Sequence, residues 1–113
     1  MFVVKRTEDN PILVPNRDHH WEASATFNMS VVKHSRHIHG LYRAISSKDS
    51  LRTPDQVSTI GIVKSPDGLH FEDHRQLIEP TEEWEKFGCE DPRVTFFEGR
   101  YYVFYTALSV YPF

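Results

Sequence analysis

The 113-residue sequence has one cysteine, Cys89, only five glycines and no apolar run that approaches the ~20 residues needed to span a bilayer. A single cysteine excludes an intrachain disulfide, a CxxC redox pair and a thiolate zinc site. Neither a glycine-rich phosphate loop nor a Gly-x-Ser-x-Gly elbow occurs, so the usual signatures of nucleotide binding and of serine hydrolases are missing. Thirteen basic residues are scattered among sixteen acidic ones, for a formal charge of -3, and no basic stripe is available to a phosphate backbone. Neither nucleic acid nor a membrane is an expected partner. The opening Met1-Phe2-Val3-Val4-Lys5-Arg6 becomes charged before an apolar signal core can develop, and the expectation is a soluble, cytoplasmic protein. A sustained 3.6-residue period is absent throughout, so no long helix is expected.

What the sequence does have is aromatic surface. Eight Phe, five Tyr and two Trp suit packed strand faces and also the stacking walls of a sugar site. Prolines at positions 11 and 15 bias the residues before them to extended backbone, so residues 1–22 read as an irregular lead-in. From Ala25 to Val32 apolar and polar residues alternate with β-branched side chains among them, which predicts a strand that dissolves into a polar turn over Lys33 to His37. His39 to Ile45 resumes the pattern, Ser46 to Asp55 reads as a longer loop, and Val57 to Val63 as a third strand. Asp67-Gly68 predicts a tight hairpin, with Leu69 to Leu77 returning antiparallel. Glu79 to Phe87 is acidic and reads as a loop holding at most one helical turn. Val94 to Phe97 and Tyr101 to Ala107 form a further hairpin about Gly99.

Six short strands joined by turns indicate an all-β sandwich, barrel or propeller. The hairpins at Ser65 to Phe71 and at Phe97 to Tyr101 recur at about 30 to 40 residues, near the length of a four-stranded blade, which favours the propeller. On that reading the chain holds roughly one and a half blades of a larger ring. The ending Val110-Tyr111-Pro112-Phe113, without a closing strand, agrees with an incomplete domain.

Gly88-Cys89-Glu90-Asp91-Pro92-Arg93 concentrates chemistry, with two acids and an arginine between a loop and a strand. Pro92 is expected to hold Asp91 extended, presenting its carboxyl rigidly from a strand mouth as a general acid requires. The competing interpretation is an Asp-Pro turn whose carboxylate only accepts backbone hydrogen bonds. His34, His37 and His39, with His19 and His20, resemble a metal set in composition, yet in a strand only His37 and His39 share a face, and solvated hairpin histidines account for them better. No metal is expected. Cys89 beside two carboxylates has its thiolate disfavoured and is not expected to act as a nucleophile.

Taken in order, Asn10-Pro11-Ile12-Leu13, Trp21-Glu22, Phe27-Asn28, Leu41-Tyr42-Arg43-Ala44, Ser58-Thr59-Ile60-Gly61, Ser65-Pro66-Asp67-Gly68, Gly88-Cys89-Glu90-Asp91-Pro92-Arg93 and Tyr105-Thr106-Ala107 resemble the motifs of glycoside hydrolase family 130. The resemblance covers nearly the whole chain, and Glu-Asp-Pro-Arg is its most specific element. It implies that residues 1–113 are the N-terminal part of a single catalytic domain, the first one to two blades of a five-bladed β-propeller. It also implies cleavage of β-mannosidic linkages with inversion, by phosphorolysis or hydrolysis. Asp91 matches the family's catalytic acid. Asn28 and Arg43 match positions whose amide and guanidinium point into the central pocket and fix sugar hydroxyls. Glu90 and Arg93 are candidate substrate-binding residues beside them, with local ion pairing as the plainer role for both arginines.

The expected partner is a mannoside or oligosaccharide, and a homo-oligomer is compatible with the chain. No cofactor is expected, and inorganic phosphate enters only as a co-substrate of the phosphorolytic alternative. The sequence departs from the resemblance at Val110, where phosphorylase members tend to carry an arginine, and that departure weighs against phosphorolysis. Inverting hydrolysis needs a second carboxylate on the opposite face, and no residue of this chain can be assigned to it. Two other functions stand beside the leading one: another five-bladed glycosidase, arabinanase-like or invertase-like, and a sugar-binding module without catalysis. The piece by itself is expected to be inactive.

Overall fold

Six strands are present in the computed structural model, which describes residues 1–46 and 57–110. β1 (Ala25–His34), β2 (His37–Ile45), β3 (Ser58–Ser65) and β4 (Glu72–Ile78) form an antiparallel meander, and β5 (Gly88–Phe97) with β6 (Arg100–Leu108) form a hairpin beside it. β4 flanks most of β3. At the start of β3 a single parallel bridge, Ser58 to Gly88, joins the meander to the hairpin. The expected all-β fold is therefore present, as one four-stranded blade followed by the first hairpin of the next. The loop expected over Ser46 to Asp55 lies, from position 47 on, outside the described residues, as do 111–113. Among the described residues no helix is long and apolar enough to cross a membrane.

Period-2 alternation places successive residues of β2 on opposite faces, and each face has its own core. Leu41, Ile60 and Cys89 pack with Val94 and Val103 between the meander and the β5–β6 hairpin. Tyr42, Ala44 and Val63 pack on the other face against Leu13 and Trp21 of the lead-in, with Met29 and Phe71. Gly61 makes room for that second core: a Cβ there would stand 2.4 Å from Tyr42 Cζ and 2.7 Å from the Trp21 ring. Burying an aliphatic side chain such as Ile60 is worth about 1.5 to 3 kcal/mol, and Ile60 is fully enclosed.

Several local expectations are corrected. The first hairpin turn is tighter than Lys33 to His37, because His34 still pairs His37 and only Ser35 and Arg36 lie between them. Asp67-Gly68 does not close a two-residue hairpin. β4 starts only at Glu72, because the Asp67 carboxylate turns back to accept hydrogen bonds from Leu69 N and His70 N at 2.8 and 2.9 Å, holding a wider loop with Gly68 at φ 82°. The His70 backbone donor first, and then the His70 ring and the Leu69 backbone donor, hold the Asp67 carboxyl well below its ordinary range. β5 begins at Gly88, not Val94, so the acidic motif lies inside a strand. The hairpin at Glu98-Gly99 is as expected, with φ of 47° and 77° at the two central residues, the pair of positive values that a tight turn between twisted strands needs.

The repeat is also longer than expected. The hairpins at 65–71 and 97–101 are not equivalent, since the first joins β3 to β4 and the second joins β5 to β6. The unit that recurs is 63 residues, the separation of Asn28 and Asp91. A short 3-10 turn, His20–Glu22, precedes β1 as another, Glu83–Glu85, precedes β5, and β1 and β2 recur as β5 and β6 at the same offset. Leu41-Tyr42-Arg43-Ala44-Ile45 aligns with Phe104-Tyr105-Thr106-Ala107-Leu108, and Trp21-Glu22 with Trp84-Glu85. Burial differs between the copies for a simple reason. Leu41 is 3% exposed and Phe104 65%, because Leu41 packs with Ile60 and Cys89 between the meander and the hairpin, whereas β6 has no strand beyond it among the described residues.

Candidate active site

Two β-bulges build the site. Between β1 and β2 the register runs Phe27 to Arg43 and then Ser30 to Leu41, so Asn28 and Met29 together face Tyr42. Between β5 and β6 it runs Glu90 to Thr106 and then Arg93 to Phe104, so Asp91 and Pro92 together face Tyr105. An extra residue bends its strand and re-aims a side chain. The leading residue of each bulge takes a left-handed backbone, with φ 53° at Asn28 and 51° at Asp91, a conformation that Asn and Asp tolerate better than other side chains.

This overturns the expectation that Pro92 holds Asp91 extended. Asn28 is followed by Met29 and has the same backbone, so the bulge sets the conformation and the proline does not. The two re-aimed side chains meet. Asn28 Nδ2 donates to Asp91 Oδ1 at 2.6 Å, and Ser30 Oγ accepts from Val94 N at 3.1 Å, tying β1 to β5 just beyond both bulges.

Arg43 lies beside this pair. Its Nη1 is 3.8 Å from Asp91 Oδ1, its Nη2 donates to Glu90 Oε1, and its guanidinium lies over the Phe27 ring at 5.0 Å. Ser58 closes the group, with Oγ accepting from Arg43 Nε and donating to Glu90 Oε1, each at 3.1 Å. Arg43 and Glu90 are largely enclosed, whereas the Asp91 side chain is 39% exposed and open to an incoming molecule. Asn28, Arg43, Glu90 and Asp91 are thus brought together. Arg93 is not: it is exposed, and its Nη1 donates to the Pro92 carbonyl at 2.7 Å. Sequence reading gave no role to Ser58 or Phe27. Ser58 stood within a quoted motif, but its contact with Glu90 spans two strands and has no local signature.

A second polar cluster lies behind the sheet. The fully buried Glu22 carboxylate accepts from Tyr42 Oη at 2.8 Å and meets His19 Nδ1 at 2.7 Å and His74 Nδ1 at 3.0 Å. Burial and this carboxylate push the Tyr42 phenol far above its ordinary range. Its counterpart 63 residues on is Glu85, which accepts from Thr81 N, Glu82 N and Tyr105 Oη. The backbone donor of Thr81 first, and then Tyr105, lower the Glu85 carboxyl, while the Tyr105 phenol is pushed up to about 12 chiefly by the bond to Glu85. Cys89 is buried and its thiol is pushed up to about 11, by desolvation first and then by Glu85, which leaves little thiolate for nucleophilic work. His34 Nδ1 lies 2.8 Å from Tyr101 Oη, at the β1–β2 turn end of the sheet, six residues along β1 from Asn28.

The chemistry available is that of a carboxyl held between an amide and a guanidinium, at the mouth of a sheet that also offers aromatic surface. Residues 3–112 match the family model of glycoside hydrolase family 130, described as beta-1,4-mannooligosaccharide phosphorylase. A beta-1,2-mannobiose phosphorylase of Thermoanaerobacter sp. (strain X514) is 40% identical over 96% of this chain and 38% of its own length, and a 1,2-beta-oligomannan phosphorylase of the same organism is 33% identical over 96% and 37%. The crystal structure of a glycosyl hydrolase from Bacteroides ovatus superposes with a TM-score of 0.79 at 27% identity, covering 91% of this chain and 34% of that one. The chain thus spans under two fifths of the length of the curated relatives it matches. With residues 3–112 matching its family model, the chain belongs to glycoside hydrolase family 130.

Proposed function

We propose that the protein containing this chain cleaves β-mannosides with inversion at the anomeric carbon, with Asp91 as the general acid. The observation that carries the reading is the placement of Asp91 at a left-handed bulge, 2.6 Å from the Asn28 amide and within ion-pair reach of Arg43. In the reaction the bond from C1 to the glycosidic oxygen breaks, its electron pair goes to that oxygen, and the Asp91 proton follows it, directly or through a sugar hydroxyl. A nucleophilic oxygen bonds to C1 from the opposite face. When that oxygen belongs to inorganic phosphate the product is an α-mannosyl phosphate, and when it belongs to water the product is α-mannose.

Asn28 and Arg43 supply directed donors for sugar hydroxyls and orient the acid between them. Glu90 balances the Arg43 charge, so the guanidinium can stand beside Asp91 without a direct bond to it. Arg93, turned to the Pro92 carbonyl, is assigned no sugar contact. The groups that act on the nucleophile belong to the length of the relatives that this chain does not span. Phosphorolysis is the favoured chemistry, because both curated relatives are phosphorylases and one is 40% identical. Val110, which stands where an arginine was expected, is the residue that argues for water instead. Incubating the family-length protein with β-1,2-mannobiose, with and without phosphate, tests the reading. Mannose 1-phosphate formed only with phosphate supports phosphorolysis, mannose formed in both conditions supports hydrolysis, and no product in either removes the proposal.

A further inference from the structure

The motif Trp-Glu, present at Trp21-Glu22 and again at Trp84-Glu85, has no part in the chemistry above, yet both copies do the same thing. Each glutamate ends a short 3-10 turn just before a bulged strand, and each accepts a hydrogen bond from a tyrosine on the following strand: Tyr42 to Glu22, and Tyr105 to Glu85. Those tyrosines are not arbitrary positions. Tyr42 is the single residue facing the Asn28-Met29 bulge, and Tyr105 is the single residue facing the Asp91-Pro92 bulge.

A bulge persists only while two residues on one strand oppose one on its partner. A slip of one residue would restore a regular ladder and turn the re-aimed side chain to the other face of the sheet. Anchoring the opposing residue from outside the ladder blocks that slip. Glu85 is itself fixed, because Thr81 N and Glu82 N also donate to its carboxylate at 3.0 and 3.2 Å, so the anchor belongs to the loop and not to a free side chain. From this repeated arrangement we propose that Glu85 and Tyr105 are positioning residues for Asp91, a clasp that keeps the bulge in register and the acid aimed at the glycosidic oxygen. The inference rests on the reading of Asp91 as the acid and adds how its position is maintained.

The test exploits leaving-group chemistry. A glycosidic oxygen that departs as an alkoxide needs a proton, whereas dinitrophenolate departs without one, so loss of a general acid spares an activated substrate. In the family-length protein, Tyr105→Phe removes the hydroxyl and keeps the ring. It is expected to lower kcat on β-1,2-mannobiose about tenfold, the scale of a small misplacement of a reacting group. On 2,4-dinitrophenyl β-mannoside kcat should hold within about twofold, with KM little changed on both substrates. Glu85→Gln, which cannot accept from Tyr105 and from both backbone donors at once, should give the same selective loss and serves as the second variant if Tyr105→Phe folds poorly. Asp91→Asn is the control. If Asp91→Asn is selective while the clasp variants lose activity equally on both substrates, or lose none, the clasp is overturned and the acid assignment stands. If Asp91→Asn itself shows no selectivity, the assignment of Asp91 falls and the clasp with it.

Discussion

Asn28 and Asp91 occupy equivalent positions 63 residues apart, each at a left-handed bulge of the leading strand of its unit, and they meet in a hydrogen bond of 2.6 Å. Two successive units of one repeat thus contribute an amide and a carboxylic acid to the same spot. The fold supplies the convergence, and the side chains at the equivalent positions decide what it does. Arg43 in the first unit is likewise matched by Thr106 in the second, so the second unit brings no guanidinium to the group from this position.

Replacing Asp91 by Asn keeps the shape and removes the proton. In the family-length protein kcat on a β-mannobiose should fall by about 10² to 10⁴, while the circular dichroism spectrum and melting temperature stay near those of the parent. A variant that turns over at the parental rate would remove Asp91 from the mechanism.

Arg43→Lys retains the charge but loses the fork that reaches Ser58 through Nε and Glu90 through Nη2. Because an ammonium is a point donor that cannot hold both partners in one plane, KM for the mannoside should rise about tenfold. Steady-state kinetics on one substrate is sufficient, and an unchanged KM would place Arg43 outside sugar recognition.

Gly61→Ala inserts a Cβ 2.4 Å from Tyr42 and 2.7 Å from Trp21, both part of a packed core with little room to yield. Overpacking of that kind costs about 1 to 3 kcal/mol, and the midpoint of denaturant unfolding should fall accordingly. A parental midpoint would mean that the lead-in can lift away from the sheet without loss.

The Glu85 carboxyl lies below its ordinary value when folded, chiefly through the Thr81 backbone donor. As pH falls, the unfolded chain therefore takes up this proton first, and the stability the group contributes is present above the ordinary carboxylate range and lost as pH drops through the lowered folded value. Acid unfolding of the parent should be steeper than that of Glu85→Gln, followed by tryptophan fluorescence. Parallel curves would contradict this.

The 113 residues expressed alone should show no mannoside cleavage and should self-associate. Phe96, Phe97 and Phe104 are 56%, 60% and 65% exposed, large apolar side chains spread over the two faces of the β5–β6 hairpin, whose β6 edge is uncovered among the described residues. Sedimentation velocity and a phosphate-dependent activity assay would check both points, and a monodisperse, active monomer would contradict them.

Much of the fold was legible because a strand is recognised by its own alternation. Ala25 to Val32, His39 to Ile45 and the Glu98-Gly99 hairpin needed only local pattern and turn chemistry. The start of β5 was missed, because Cys89-Glu90-Asp91-Pro92 breaks that alternation, and it does so for the reason that makes it useful: a bulge and a proline lie within the strand. The repeat was visible in Tyr42 and Tyr105 and in the two Trp-Glu pairs, but equating two dissimilar hairpins concealed it.

By itself the sequence determined that the chain folds as short strands joined by turns, where the Glu98-Gly99 turn falls and which carboxylate lies beside a proline, since each of these depends on neighbours a few positions away. Tertiary structure decided that Asn28 reaches Asp91, that Ser58 and not Arg93 completes the polar group, and that Glu85 holds Tyr105. A bulge is a property of two strands in register, and a hydrogen bond between units depends on how those strands are stacked in space. Neither quantity exists in any single stretch of chain.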